Sequence, residues 1–188
     1  MESPGPHPSA VVRAIPNVLS SLRLALAAIF AILAPPLRPF AVLAAGASDW
    51  LDGFIARRLH ASSWMGGVLD AVADKAFVLA VLATFVHEGT FEAWQAGLLL
   101  LRDVSVLTVA VYVIATKHWA AFTKMPARPL GRVTTAALFA LFLGMTALPA
   151  LALFHGILLA AATLASGLAA FDYARAFARA RSAAGSKP

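Results

Sequence analysis

Four aspartates, Asp49, Asp52, Asp70 and Asp74, fall within 26 residues of a chain that has only nine acidic side chains in 188. Placed on helices, Asp49, Asp52 and Ala56 stand at i, i+3 and i+7 and share one face. Gly66, Asp70 and Asp74 stand at i, i+4 and i+8 and share one face of the next helix. Their surroundings are apolar enough to cross a membrane. One charged group near mid-bilayer costs about 3 kcal/mol on insertion scales, so four unrelieved carboxylates would cost about 10 kcal/mol. Crowded carboxylates also repel one another. Divalent cations relieve both problems. A donor set made only of oxygen suits Mg²⁺ or Mn²⁺, and two such ions bridged by carboxylates are an apparatus for phosphoryl transfer. Gly53, Ala56, Gly66 and Gly67 have almost no side chain, which lets a bulky ligand approach the backbone beside the acids.

The elements that must position these residues are membrane spans. A spanning helix needs about 20 apolar residues, and six runs qualify: roughly 17–34, 39–57, 66–87, 92–116, 132–149 and 151–174. Pro35, Pro36 and Pro39 separate the first two, "HEGT" (87–90) the third and fourth, and "KMPARPLG" (124–131) precedes the fifth. The expectation is an all-α polytopic membrane protein, one domain over 1–188 built as a bundle of six transmembrane helices, with short flexible tails at about 1–10 and 181–188. A loop at about 58–65 makes the second and third spans an antiparallel hairpin whose acidic faces meet. A cleaved leader is the competing reading of the first span, and the five spans that follow argue against it.

Six spans put both termini on one side. That side then holds Arg13, Arg23, Arg57, Arg58, Lys117, Lys124, Arg128, Arg132, Arg175, Arg179, Arg181 and Lys187, which is 12 of the 15 Lys and Arg residues. The positive-inside bias makes it the cytoplasm, so the expected protein is integral to the cell's inner or plasma membrane with its acidic site facing inward. The remaining cations are Arg38 in an opposite loop and Lys75 and Arg102 inside spans.

Composition excludes much else. With 61% hydrophobic and 13% charged residues and a mean hydropathy of +0.81, there is too little polar sequence to coat a soluble core. The absence of cysteine removes disulfides, zinc–thiolate sites and cysteine nucleophiles. The net charge of +6 comes from residues between and beyond the spans, with no basic stripe interleaved with aromatics. That pattern suits topology and anionic membrane lipids rather than nucleic acid. The five histidines share no helix face, which speaks against a histidine metal site. A divalent-cation transporter using the same aspartates is the rival reading. It needs a polar path, and beyond Asp74 the third span runs "AFVLAVLATFV".

Written out, the acidic stretch is D49-x2-D52-G53-x2-A56-R57-x8-G66-x3-D70-x3-D74. It resembles, without a gap, the signature of the CDP-alcohol phosphatidyltransferase family. "PNVLSSLR" (16–23) is similar to the opening of the family's first span, and "LRDVSVL" (101–107) and "LGRVTT" (130–135) are similar to later family segments. The resemblance covers most of residues 15–140. It implies an enzyme that moves a phosphatidyl group from CDP-diacylglycerol to an alcohol and releases CMP, with two Mg²⁺ or Mn²⁺ ions held by Asp49, Asp52, Asp70 and Asp74. Asp74 would double as the catalytic base. Asp49, Asp52, Gly53, Ala56, Arg57, Gly66 and Asp70 would line the CDP site.

The acceptor is less constrained. Arg102, placed mid-way along the fourth span, is a functional candidate because charge is expensive there; an ion pair with Asp103 is its structural alternative. Lys124, Arg128 and Arg132 gather at the mouth of the fifth span, where topology alone also favours cations. Together they suit a phosphate-bearing acceptor, either glycerol 3-phosphate or phosphatidylglycerol. The Arg102-Asp103 pair resembles CMP-forming cardiolipin synthases, whereas phosphatidylglycerophosphate synthases more often have Arg-Glu there. Small residues in "LASGLAA" (164–170) offer either a homodimer contact or a tight contact within the chain.

Overall fold

The computed structural model describes residues 10–59, 64–116 and 129–185. All described elements are helical: α1 (Ala10–Ile29), α2 (Arg38–Leu59), α3 (Trp64–His87), α4 (Ala93–Leu99), α5 (Leu101–Thr116), α6 (Pro129–Ala147) and α7 (Ala152–Gly185). Among the described residues two helices are long and apolar enough to cross a membrane, over Leu130–Ala147 and Ala152–Arg179. Large apolar side chains nevertheless point outward along the chain, among them Val18, Leu43, Leu79, Leu107, Leu153 and Leu168. An exterior of this kind suits lipid rather than water.

The chain forms two compact units, Met1–Thr90 and Phe91–Pro188. In the first, α1 packs against both α2 and α3, while direct α2–α3 contacts are few among the described residues. Helix α1 presents its own face to both acidic helices. The core here is Phe30, Phe77, Val81 and Phe85, with Ala41, Ala45 and Ala73 permitting close approach of the helices. Two 3₁₀ turns, Phe30–Ile32 and Pro35–Leu37, end α1 because Pro35 and Pro36 cannot donate to a continuing helix. At the end of α3, Gly89 takes φ +72°, the Thr90 amide donates to the Phe85 carbonyl at 2.8 Å and the Gly89 amide to Val86 at 3.1 Å. This is the glycine-capped helix end that only a residue without Cβ adopts cheaply.

In the second unit α7 is the organiser, packed by α4, α5 and α6. The expected span over 92–116 is divided at Leu100. The cause is Ser166 of α7, whose buried hydroxyl donates to the Leu99 carbonyl at 2.9 Å and accepts from the Arg102 amide at 3.2 Å. A side chain inserted into the helical ladder satisfies the freed backbone groups and ends one helix as the next begins. Of the small residues in "LASGLAA", Ser166, Ala169 and Ala170 are buried within the chain. At its carboxyl-terminal end α7 continues through Gly185.

Candidate active site

Within the first unit, the site is assembled around a residue that the sequence reading assigned to topology. Arg23 sits in α1, and it is completely buried. Its Nη1 donates to Asp70 Oδ1 at 2.9 Å and lies 3.6 Å from Asp49 Oδ1. Its Nε reaches the Ser48 hydroxyl at 3.4 Å, and that hydroxyl donates back to the Ala45 carbonyl at 2.8 Å. One cation from α1 therefore engages the acidic faces of both α2 and α3. The signal available in the sequence was an arginine inside an apolar run, beside two serines in "PNVLSSLR".

Asp70 and Asp74 lie one turn apart on α3 and share its face. Asp74 Oδ2 pairs with the Lys75 ammonium at 3.2 Å, which supplies a partner for a lysine whose role the sequence left open. Asp74 Oδ1 is buried and has no hydrogen-bond partner. A buried carboxylate oxygen in that condition costs free energy unless something completes it. Asp49 experiences Asp74 and Asp70 as like charges and Arg23 and Lys75 as opposite ones. The described carboxylates thus outnumber what the two cations neutralise one to one.

Asp52, Gly53, Ala56 and Arg57 belong to α2 by backbone, with their side chains outside the described residues; Gly66 is partly exposed near the start of α3. Among the described residues no three acidic or histidine side chains converge on a single point. The donors nonetheless fit a hard divalent cation: Asp49 and Asp70 share one cationic partner, and Asp74 offers an unsatisfied oxygen.

The second unit contains a separate polar feature. Arg102 is the second residue of α5 and lines a cavity of about 50 Å³ with Leu130, Gly131, Ala169, Asp172 and Tyr173. Its Nη1 stands 3.5 Å from Asp103 Oδ1, so the ion-pair alternative is realised alongside the cavity. A Cβ at Gly131 would come within 2.9 Å of Arg102 Nη2, and glycine there leaves room for the guanidinium. Asp172 and Tyr173 lie well inside α7, and an isolated polar pair there carries no spacing signal in the sequence. Arg132 is exposed in the first turn of α6. Lys124 and Arg128 lie outside the described residues.

Comparison with known proteins decides the kinship of these units. The sequence matches the family described as CDP-alcohol phosphatidyltransferase over residues 13–168. The chain belongs to that family. Membership brings membrane attachment and a general dependence on metal. The chain is similar to the CDP-diacylglycerol–glycerol-3-phosphate 3-phosphatidyltransferase of Pseudomonas fluorescens, with 35% identity over 128 residues, 64% of this chain and 63% of the relative. It is 34% identical to the protein of the same name from Aquifex aeolicus over 134 residues, 64% of this chain and 68% of the relative. It is 36% identical to the CMP-forming cardiolipin synthase of Streptomyces coelicolor over 110 residues, 52% of this chain and 50% of the relative. The chain spans about half the length of several curated relatives that it matches.

Proposed function

We propose that this protein transfers a phosphatidyl group from CDP-diacylglycerol to an alcohol acceptor, with release of CMP. The observation that carries the reading is the buried, unpartnered Asp74 Oδ1 beside Asp49 and Asp70. It is a proton acceptor set next to a site for cations. Family membership and relatives bearing phosphatidyltransferase names support it.

In this reading Asp49, Asp52, Asp70 and Asp74 hold two Mg²⁺ or Mn²⁺ ions. When bound, such ions neutralise the diphosphate and stabilise charge on the leaving phosphate. The chain's own residues do the rest. Asp74 Oδ1 takes the proton of the acceptor hydroxyl as its oxygen bonds to the phosphorus that carries diacylglycerol. The phosphorus–oxygen bond to CMP breaks, and CMP leaves with the bond's electron pair. Gly53, Ala56 and Gly66 leave room for the cytidine diphosphate, and Arg57 pairs with its charge. No nucleophilic side chain is needed for direct transfer.

Arg102, with the cluster of Lys124, Arg128 and Arg132, would bind the phosphate of the acceptor, favouring glycerol 3-phosphate or phosphatidylglycerol. Six spans, cytoplasmic termini and an active site opening to the cytoplasm complete the reading, on the positive-inside argument. A cation transporter is not favoured, because beyond Asp74 the buried face of α3 is Phe77, Val81 and Phe85.

The test is CMP release from labelled CDP-diacylglycerol by purified protein, with a panel of alcohols. EDTA should abolish release, and Mn²⁺ or Mg²⁺ should restore it. Full release in metal-free buffer, or none with any alcohol, sinks the reading.

A further inference from the structure

An arginine with no exposed surface is costly unless its charge is matched, and in Arg23 the match comes from residues assigned above to the metals. The guanidinium is fixed from behind. Ser48, held by its own bond to the Ala45 carbonyl, receives Nε, so the Nη1 edge is aimed at Asp70 and Asp49. Asp70 Oδ1 therefore already has a cationic partner at hydrogen-bond distance.

A divalent ion that takes the same oxygen must either displace Nη1 or share the carboxylate with it. Both bring a second cation against the first. Without the guanidinium, Asp49, Asp70 and Asp74 would face one another with Lys75 as the remaining described counter-charge. Like charges in an apolar bundle would then push α2 and α3 apart.

From this we infer that Arg23 is a resident counter-ion of the acidic site. It neutralises Asp49 and Asp70 when no divalent ion is bound, and gives up Asp70 when one arrives. Arg23 thus acts as a positioning residue that trades metal affinity for integrity of the empty site. The role rests on the metal reading above, but it makes a signed prediction that the reading alone does not. A residue that merely braces the ligands would weaken metal binding when removed. A resident counter-ion does the opposite.

The measurement is Mn²⁺ affinity by electron paramagnetic resonance of the free ion, together with thermal unfolding in EDTA and in saturating Mn²⁺. It uses the full chain in detergent, without lipid substrate. Arg23→Gln should bind Mn²⁺ about tenfold more tightly, the factor that one charge-assisted hydrogen bond represents. It should unfold at a lower temperature than wild type in EDTA, and the gain in Tm on adding Mn²⁺ should be larger. Arg23→Lys keeps the charge and should return affinity most of the way to wild type. Should Arg23→Gln fail to fold in EDTA, purification in Mn²⁺ keeps the affinity comparison available.

Weaker or unchanged Mn²⁺ binding in Arg23→Gln, while wild type binds Mn²⁺, overturns this inference and leaves the metal reading standing. Wild type that binds no Mn²⁺ overturns both.

Discussion

Among its described residues the first unit buries two arginines against carboxylates, and the two are matched differently. Arg38, the first residue of α2, meets Glu88 just past α3 through two bonds, Nη1 to Oε2 at 2.8 Å and Nη2 to Oε1 at 2.6 Å. Its Nε donates to the Leu33 carbonyl at 3.1 Å, and its guanidinium lies 5.7 Å from the centre of the Phe30 ring. Every part of that fork is used, and one positive charge meets one negative. Arg23 instead reaches two carboxylates from one nitrogen, with Asp74 beside them holding a bare oxygen. A saturated pair ties helix ends together and has nothing left to offer a ligand. A cluster with more acceptors than donors is unfinished, and binding or chemistry can complete it.

The comparison predicts opposite phenotypes. The largest effect should come from Asp74→Asn, which removes the proposed base: turnover should fall by about 10²–10⁴-fold, with CDP-diacylglycerol binding nearly intact and Tm unchanged or higher. Turnover retained at more than a tenth of wild type would show that the bare oxygen is not the proton acceptor. At the other arginine the pattern should reverse. Arg38→Met should leave kcat/KM near wild type and cost about 1–2 kcal/mol in stability, the lower end for a buried pair because Glu88 is partly exposed. A loss of turnover without a loss of Tm would erase the distinction between the two sites.

Arg102 is an intermediate case, with one carboxylate neighbour at 3.5 Å and an open cavity in front of it. If its free donors bind an acceptor phosphate, Arg102→Gln should raise the acceptor KM about ten- to a hundredfold, leaving that for CDP-diacylglycerol little changed. Equal effects on both substrates would place Arg102 with Arg38, as a structural pair. Gly131→Ala should act in the same direction by only a few-fold, since the added methyl group meets the movable end of the arginine rather than backbone.

The smallest effect concerns pH. Hydrogen bonding to Arg38 holds the Glu88 carboxyl below the usual glutamate range. A lowered folded-state pKa gives stability that is present above the unfolded value and lost as pH falls through the folded one. Wild type should therefore lose a small increment of Tm below about pH 4, and Glu88→Gln should lack that increment. An identical acid limb in both proteins would mean that Glu88 is too exposed to matter.

By itself the sequence determined the helical class, because long apolar runs leave a chain in hydrocarbon no other way to satisfy its backbone locally. It also determined the acidic signature, since i, i+3 and i+4 spacing assigns a helix face before any packing is known. Tertiary structure decided what no spacing encodes. Arg23 stands 26 and 47 residues from the carboxylates that it engages, and only the packing of α1 against α2 and α3 brings them together. The division at Leu100 likewise depends on Ser166, which lies 67 residues from the carbonyl that it satisfies. Arg102 and Asp172 line one cavity for the same reason: α5 and α7 pack side by side. Helical periodicity is a local property of the backbone, whereas the partner of a buried charge is chosen by whichever helix packs against it.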